Sequence, residues 1–279
     1  MGKKVTIFVS CHKPSEVRTD DVYTPIHVGR AISKYKDEMA NMIGDDTGDN
    51  ISEKNPYYSE MTAQYWAWKN YHDSEYLGFC HYRRYFNEQI TNGNIDDFFA
   101  DGTDVIVVGP CLRRYSRWEF FKTFVCSEDI AIMQKVILNL YPEYYKTMSQ
   151  YGFDFIDYPL NMFICRREVF EKYAEWIFSI LFECEKYVKL SPYSRAQRLY
   201  GYLSEFLMPV FFMHNGYRLK PVKYYKTDGN SIEGGLSLHH KAMRFVLRNL
   251  IYFQDKQNTL QVDPGVDSGL RSDDIIILI

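Results

Sequence analysis

Six consecutive residues, His81-Tyr82-Arg83-Arg84-Tyr85-Phe86, carry the chemistry best suited to an anion in this 279-residue chain. Two guanidiniums and an imidazole can donate several charge-assisted hydrogen bonds to phosphate oxygens, and guanidinium offers them as a planar fork. The same arginines would also serve as ordinary surface partners of carboxylates. A second set, Ser10, His12 and Lys13, follows an apolar run and suits a nucleotide, although an exposed loop reads the same way. A third set is acidic. Inverting group transfer needs a carboxylate to take the proton from an acceptor hydroxyl. Asp157 is the first candidate, with Glu205 and Asp154 behind it. Asp157 can also be read as a turn former and Glu205 as a helix-face acid, and a retaining reaction would need no such base.

These residues are useful only if the fold brings them together. Val5 to Ser10 is a compact β-branched run, predicted to be a buried strand that delivers His12 and Lys13 at its carboxyl end. Met61, Tyr65 and Trp68 recur at helical spacing within 55–70, and Tyr76 to Cys80 reads as a strand leading into His81. In open α/β sheets, ligands bind beyond the carboxyl ends of the strands. Further strands are predicted at 104–110, 161–165 and 217–226, and helices at 128–140, 168–188, 193–213 and 236–253. Alternation of this kind predicts an α/β fold with a central mixed sheet flanked by helices. Arg113 to Arg117 reads as a basic loop that either closes over a diphosphate or is a solvated connection, and 44–50 as a solvated acidic turn. Neither a P-loop nor a GxGxxG fingerprint occurs, which disfavours a P-loop kinase or NAD enzyme.

Several pieces together resemble a family of bacterial glycosyltransferases, found in capsule and exopolysaccharide gene clusters and long catalogued as a domain of unknown function. They are Asn50-Ile51-Ser52, Asn55, Tyr58, Glu60, Thr62, Tyr65 to Asn70, Gly78 to Phe86, Asp157 to Ile164 and Arg198 to Glu205. The resemblance covers roughly residues 4–228. It implies a GT-A-like fold for 1–228, with a C-terminal helix and tail over 229–279. It implies transfer from a nucleotide-sugar donor, a UDP-sugar with UDP-galactofuranose as the first to test, to a lipid-linked oligosaccharide on the way to a surface polysaccharide. Ser10, His12, Lys13, His81, Arg83 and Arg84 would then bind the nucleotide and diphosphate, and Tyr65, Trp68 and Asn161 the sugar. The rival reading is a non-catalytic carbohydrate- or nucleotide-binding module.

No Asp-x-Asp ends the strand before His81, so Mn or Mg is disfavoured and no cofactor is expected. Asp45, Asp46 and Asp49 are the nearest acidic alternative. The net charge of −3 argues against a nucleic-acid binder. Six cysteines without CxxC spacing, and no signal-peptide or spanning segment, fit a reducing cytoplasm. The 236–253 helix combines His240, Lys241, Arg244 and Arg248 with an apolar side of Met243, Val246, Leu247, Leu250 and Phe253. That side suits peripheral contact with the inner membrane, packing on the domain, or a homodimer.

Overall fold

The computed structural model describes residues 3–190, 197–227 and 232–246. Its first strand, β1 (Val5–Cys11), is buried along its whole length. Phe8 joins one apolar layer, while Val5, Ile7, Val9 and Cys11 join the layer on the opposite face. A strand covered on both faces reads as a continuous apolar run. β1 lies between two parallel neighbours, β2 (Tyr23–His27) and β4 (Tyr76–His81). Beyond β2 stands β3 (Ile43–Gly44). On the other side β9 (Phe163–Arg166) runs antiparallel to both β4 and β6 (Val105–Val108), and β10 (Leu219–Val222) pairs with β6. The order β10-β6-β9-β4-β1-β2-β3 is therefore a mixed sheet.

At the carboxyl end of β4 the chain reverses within two residues. His81 pairs with Arg84 at the start of β5 (Arg84–Phe86), and β5 pairs with β11 (Tyr224–Lys226), itself paired with β12 (Ile232–Glu233). The strand expected over 217–226 is thus two strands, because the chain leaves β6 after Val222 to join this antiparallel ribbon. A separate pair, β7 (Cys111–Leu112) and β8 (Ile156–Asp157), holds the loops above the sheet.

One face of the sheet is covered by four long helices, α2 (Met61–Asn70), α5 (Ser127–Leu140), α7 (Arg167–Glu185) and α8 (Leu199–His214). Shorter helices are α1 (Asn55–Tyr58), α3 (Ile95–Phe99), α4 (Arg117–Phe121) and α6 (Tyr145–Gly152). A last helical stretch, α9, covers 238–246. The helix expected from Ser59 or Thr62 to Asn70 is α2, and the short α1 precedes it. Ser59 takes φ 54°, and Asn55 Nδ2 donates to its carbonyl at 2.8 Å. The acidic stretch 44–50 is not simply a solvated turn. Asp45 is fully buried, accepting from the Gly29 and Arg30 amides at 2.8 and 3.1 Å and from the Ser52 hydroxyl.

Gly152 at the end of α6 admits no side chain. A Cβ there would lie 2.0 Å from Trp118 Nε1 and 2.1 Å from Cε2, and that indole is stacked on Phe206 at 4.5 Å. An Ala for Gly exchange in an open helix interior stabilises by about 1 kcal/mol. Here Gly152→Ala is expected to destabilise by about 1–3 kcal/mol, since an overfilled core must shift backbone or indole. Urea denaturation reads the sign directly.

Candidate functional site

An open cleft of about 420 Å³ lies beyond the carboxyl ends of β1 and β4. The parallel register sets Ser10 beside His81, and the Tyr82 amide donates to the Ser10 carbonyl at 3.3 Å. Ser10, His12, His81, Arg83 and Arg84 all line the cleft. The tight reversal after β4 is the reason both guanidiniums are there. Continued extended chain would send adjacent side chains to opposite faces. Instead Tyr82 and Arg83 form the turn and Arg84 opens β5.

Two further cations complete the lining: Arg198, just before α8, and Lys226 of β11, in register with Arg84. Three arginines and a lysine thus face Glu60, the one carboxylate among the described lining residues. Cations of one sign gathered in a concave site raise the local concentration of anions. His12 is held below its ordinary pKa by burial, and then by the nearby charges of Lys13, Arg198, Arg83 and His81. It is therefore a neutral imidazole at pH 7, able to donate and accept. His81 Nε2 donates to the Leu160 carbonyl at 2.7 Å, which fixes its ring.

The rim is conformationally strained. Among the described residues, three non-glycines have positive φ: Ser59 (54°), Leu160 (80°) and Asn161 (48°). All three adjoin the cleft. Ser59 lines it and accepts from Arg198 Nε at 2.9 Å, and Leu160 holds His81. Asn161, 1% exposed, donates from Nδ2 to Glu60 Oε1 at 2.8 Å and to Ser204 Oγ at 3.0 Å. Unusual backbone held in place by such bonds is characteristic of ligand sites.

The acidic residues are divided by their partners. Asp157 is fully buried and taken up by Arg113, whose Nε donates at 2.8 Å, and by Arg117 at 3.1 Å. Arg117 is itself 2% exposed, so the basic stretch 113–117 is anchored inward at both ends rather than a solvated connection. Asp154 accepts from Arg244 Nε at 3.1 Å and from the Phe155 amide at 2.7 Å. Glu205 differs. It is half-buried on α8 and accepts from the Leu160 amide. Burial, followed by the negative charge of Asp157, pushes its pKa up to about 7. Leu160 therefore holds His81 through its carbonyl and Glu205 through its amide, which sets this carboxyl one peptide unit from the basic cleft.

Lys13, Asp154, Asp157, Glu205, Tyr65, Trp68 and Asn161 are not among the residues lining the cleft. Tyr65 and Trp68 pack between α2 and α7, at 5.0 and 5.9 Å from the Phe178 ring. Glu60 and Arg198 lay within the motif pieces without a role assigned to them. Lys226 carried no signal, because its place depends on pairing between distant segments. Among the described residues no group of three or more His, Cys, Asp or Glu is arranged to hold a metal.

A mixed sheet with helices over it and an anion cleft at its strand ends defines the GT-A-like glycosyltransferase architecture. The solved WbbM bifunctional glycosyltransferase, without ligand, matches with a TM-score of 0.69 and 26% identity over 84% of this chain. This chain spans 47% of that one, about half its length. The chain belongs to the family described as Domain of unknown function (DUF4422), whose model matches residues 6–216. Two structures of the mannosyltransferase Ktr4p from S. cerevisiae, the second in complex with GDP, also match. They are 10% and 12% identical, with TM-scores of 0.33 and 0.31, over 77% and 79% of this chain and 67% and 62% of theirs. No curated protein matches.

Proposed function

We propose that this chain moves a sugar from a nucleoside-diphosphate donor to a hydroxyl of an oligosaccharide acceptor, with inversion. The observation that carries this reading is the cation-rich cleft at the ends of β1 and β4, with the Glu205 carboxyl one peptide away from His81. The acceptor oxygen attacks the anomeric carbon as the bond from that carbon to the diphosphate breaks. The proton passes to Glu205, and the electron pair stays on the diphosphate, where Arg83, Arg84, Arg198 and Lys226 balance its charge. Asp157, ion-paired with two guanidiniums, is assigned to holding the 113–117 stretch and not to proton transfer.

The donor class proposed is a UDP-sugar, with UDP-galactofuranose tried first. The acceptor is a lipid-linked precursor of a bacterial surface polysaccharide, met at the cytoplasmic side. Fixed cations take the role that a divalent ion would otherwise fill, so activity is expected to persist after exhaustive chelation with EDTA. Loss that Mn or Mg restores would overturn this point.

The deciding experiment is a thermal-shift screen of nucleoside diphosphates and UDP-sugars, followed by donor turnover. A ligand at a hundredfold excess over its Kd stabilises the native state by about 2.7 kcal/mol. A shift with UDP compounds, and release of UDP on adding acceptor, supports the transferase. Binding without turnover under any acceptor points to a binding module, and no shift with any nucleotide overturns the site itself.

A further inference from the structure

Glu60 stands where a carboxylate opposes the ligand. It shares the cleft wall with Arg83, Arg84, Arg198 and Lys226, and its own charge repels the anion that those cations suit. A structural carboxylate in such surroundings would pair with a guanidinium, as Asp154 does with Arg244 and Asp157 with Arg113 and Arg117. Among the described residues Glu60 forms no ion pair. A neutral amide holds it instead: Asn161 Nδ2 donates to Oε1 at 2.8 Å. The direction of that amide is fixed by its other partner. The Ser204 hydroxyl gives its proton to the Gly201 carbonyl at 2.8 Å, so its oxygen must accept, and Asn161 Nδ2 lies 3.0 Å from it. The nitrogen side of Asn161 therefore faces Glu60. The backbone is held too. Glu60 follows Ser59, with its φ of 54°, and immediately precedes α2, its carbonyl accepting from the Ala63 amide at 3.1 Å. Oε2 accepts no hydrogen bond from the described residues, and the residue is half-buried at the cleft wall.

We propose that Glu60 recognises the donor sugar, with Oε2 accepting from its hydroxyls. The assignment rests on the transfer reading of the cleft. A donor sugar is bonded directly to the outer phosphate of the diphosphate, and its anomeric carbon must come near the base. Glu60 adjoins both places. It shares the cleft with the cations. It also stands close enough to Glu205 for its charge to add to the burial and the Asp157 charge that raise that carboxyl. A hydroxyl donating to an ionised acceptor makes roughly twice as strong a hydrogen bond as a neutral pair. A lone carboxylate beside diphosphate cations thus suits a neutral sugar rich in free hydroxyls. A site built to bind a hydroxyl also rejects analogues lacking it, because its buried polar groups are then left unpaired.

The test is calorimetric titration of the full chain with UDP, UDP-galactofuranose and UDP-galactopyranose, with Tm measured alongside. In Glu60→Gln the glutamine carbonyl can still accept from Asn161, so Tm is expected to hold. The amide nitrogen then takes the place of Oε2 and cannot accept from a sugar hydroxyl. UDP, which has no sugar to recognise, is expected to bind at least as tightly as to the native chain, since a negative charge has left the cleft. The UDP-hexose preferred by the native chain is expected to bind about 10–100-fold more weakly, the range for one hydrogen bond to a charged group. A packing residue would not move the two ligands in opposite directions. Equal weakening of UDP and UDP-hexose overturns the proposal while leaving the cleft a nucleotide site. So does unchanged UDP-hexose binding, which with a lower kcat makes Glu60 a base and with a raised acceptor KM assigns it to the acceptor. Failure of all three ligands to bind the native chain overturns the transfer reading, and this assignment with it.

Discussion

Glu205→Gln is expected to lower kcat by about 10²–10⁴-fold, the range for losing a general base, with little change in donor KM. The amide keeps the shape and can still accept from the Leu160 amide, but it cannot take a proton. In the native enzyme kcat should rise with pH through about 7, where this carboxyl ionises. The variant should lose that limb of the profile. Stability should move the opposite way. The folded pKa lies above the ordinary glutamate value of 4.5, so the native state binds more protons than the unfolded state between those limits. Stability therefore falls as pH rises through that window, and is undiminished below it. Glu205→Gln removes this loss, and above pH 7 it should gain on the order of 1–3 kcal/mol over the native chain. A variant that is more stable and nearly inactive separates a base from a packing residue. Full activity in Glu205→Gln would return the role to another carboxylate.

Arg83→Ala and Arg84→Ala are each expected to lower turnover by about 10²–10³-fold, as removal of one preorganised donor to developing charge does. Both side chains line the cleft, yet Arg83 is exposed at the turn and Arg84 half-buried at the start of β5. Arg83→Ala should leave Tm unchanged. Lysine at either place should recover only part of the loss, because one ammonium cannot present the paired donors of a guanidinium. The measurement is single-turnover kinetics alongside thermal denaturation. Unchanged turnover in Arg83→Ala removes that residue from the site.

The strands β1, β4, β6 and β9 and the basic motif were legible because each depends on local signals, whereas β2, β3 and β5 were not expected. The β-branched run of β1 and the apolar run before His81 mark strands, and a ligand at their carboxyl ends follows from general α/β geometry. The reversal at Tyr82-Arg83 was not legible. Without glycine or asparagine, that pair carries no turn signature, and it is the hairpin that brings both arginines to one cleft. The acidic candidates were found as types, with Asp157 placed first, but the partners that distinguish them were not legible. Whether Asp157 or Glu205 is free depends on Arg113 and Arg117, whose inward reach no pattern announces. Tyr65 and Trp68 have rings suited to a sugar, but α7 covers them, and only tertiary packing decides that. The helix expected over 236–253 was legible from its periodicity, and α9 covers 238–246 of it, 247–253 lying outside the described residues; its ion pair from Arg244 to Asp154 was not, because it joins distant segments.

The excess of fixed positive charge in the cleft has a kinetic consequence. Arginine and lysine heads, built into strand ends and helix starts, act on a donor before contact. Their reach is set by the Debye length, about 30 Å at 0.01 M salt and about 8 Å at 0.15 M. Donor association should therefore slow as salt is raised, while the rate of escape from the closely bound state changes far less. The cleft works as a capture device whose range is tuned by ionic strength, so donor supply, more than bond breaking, carries the salt dependence of this protein.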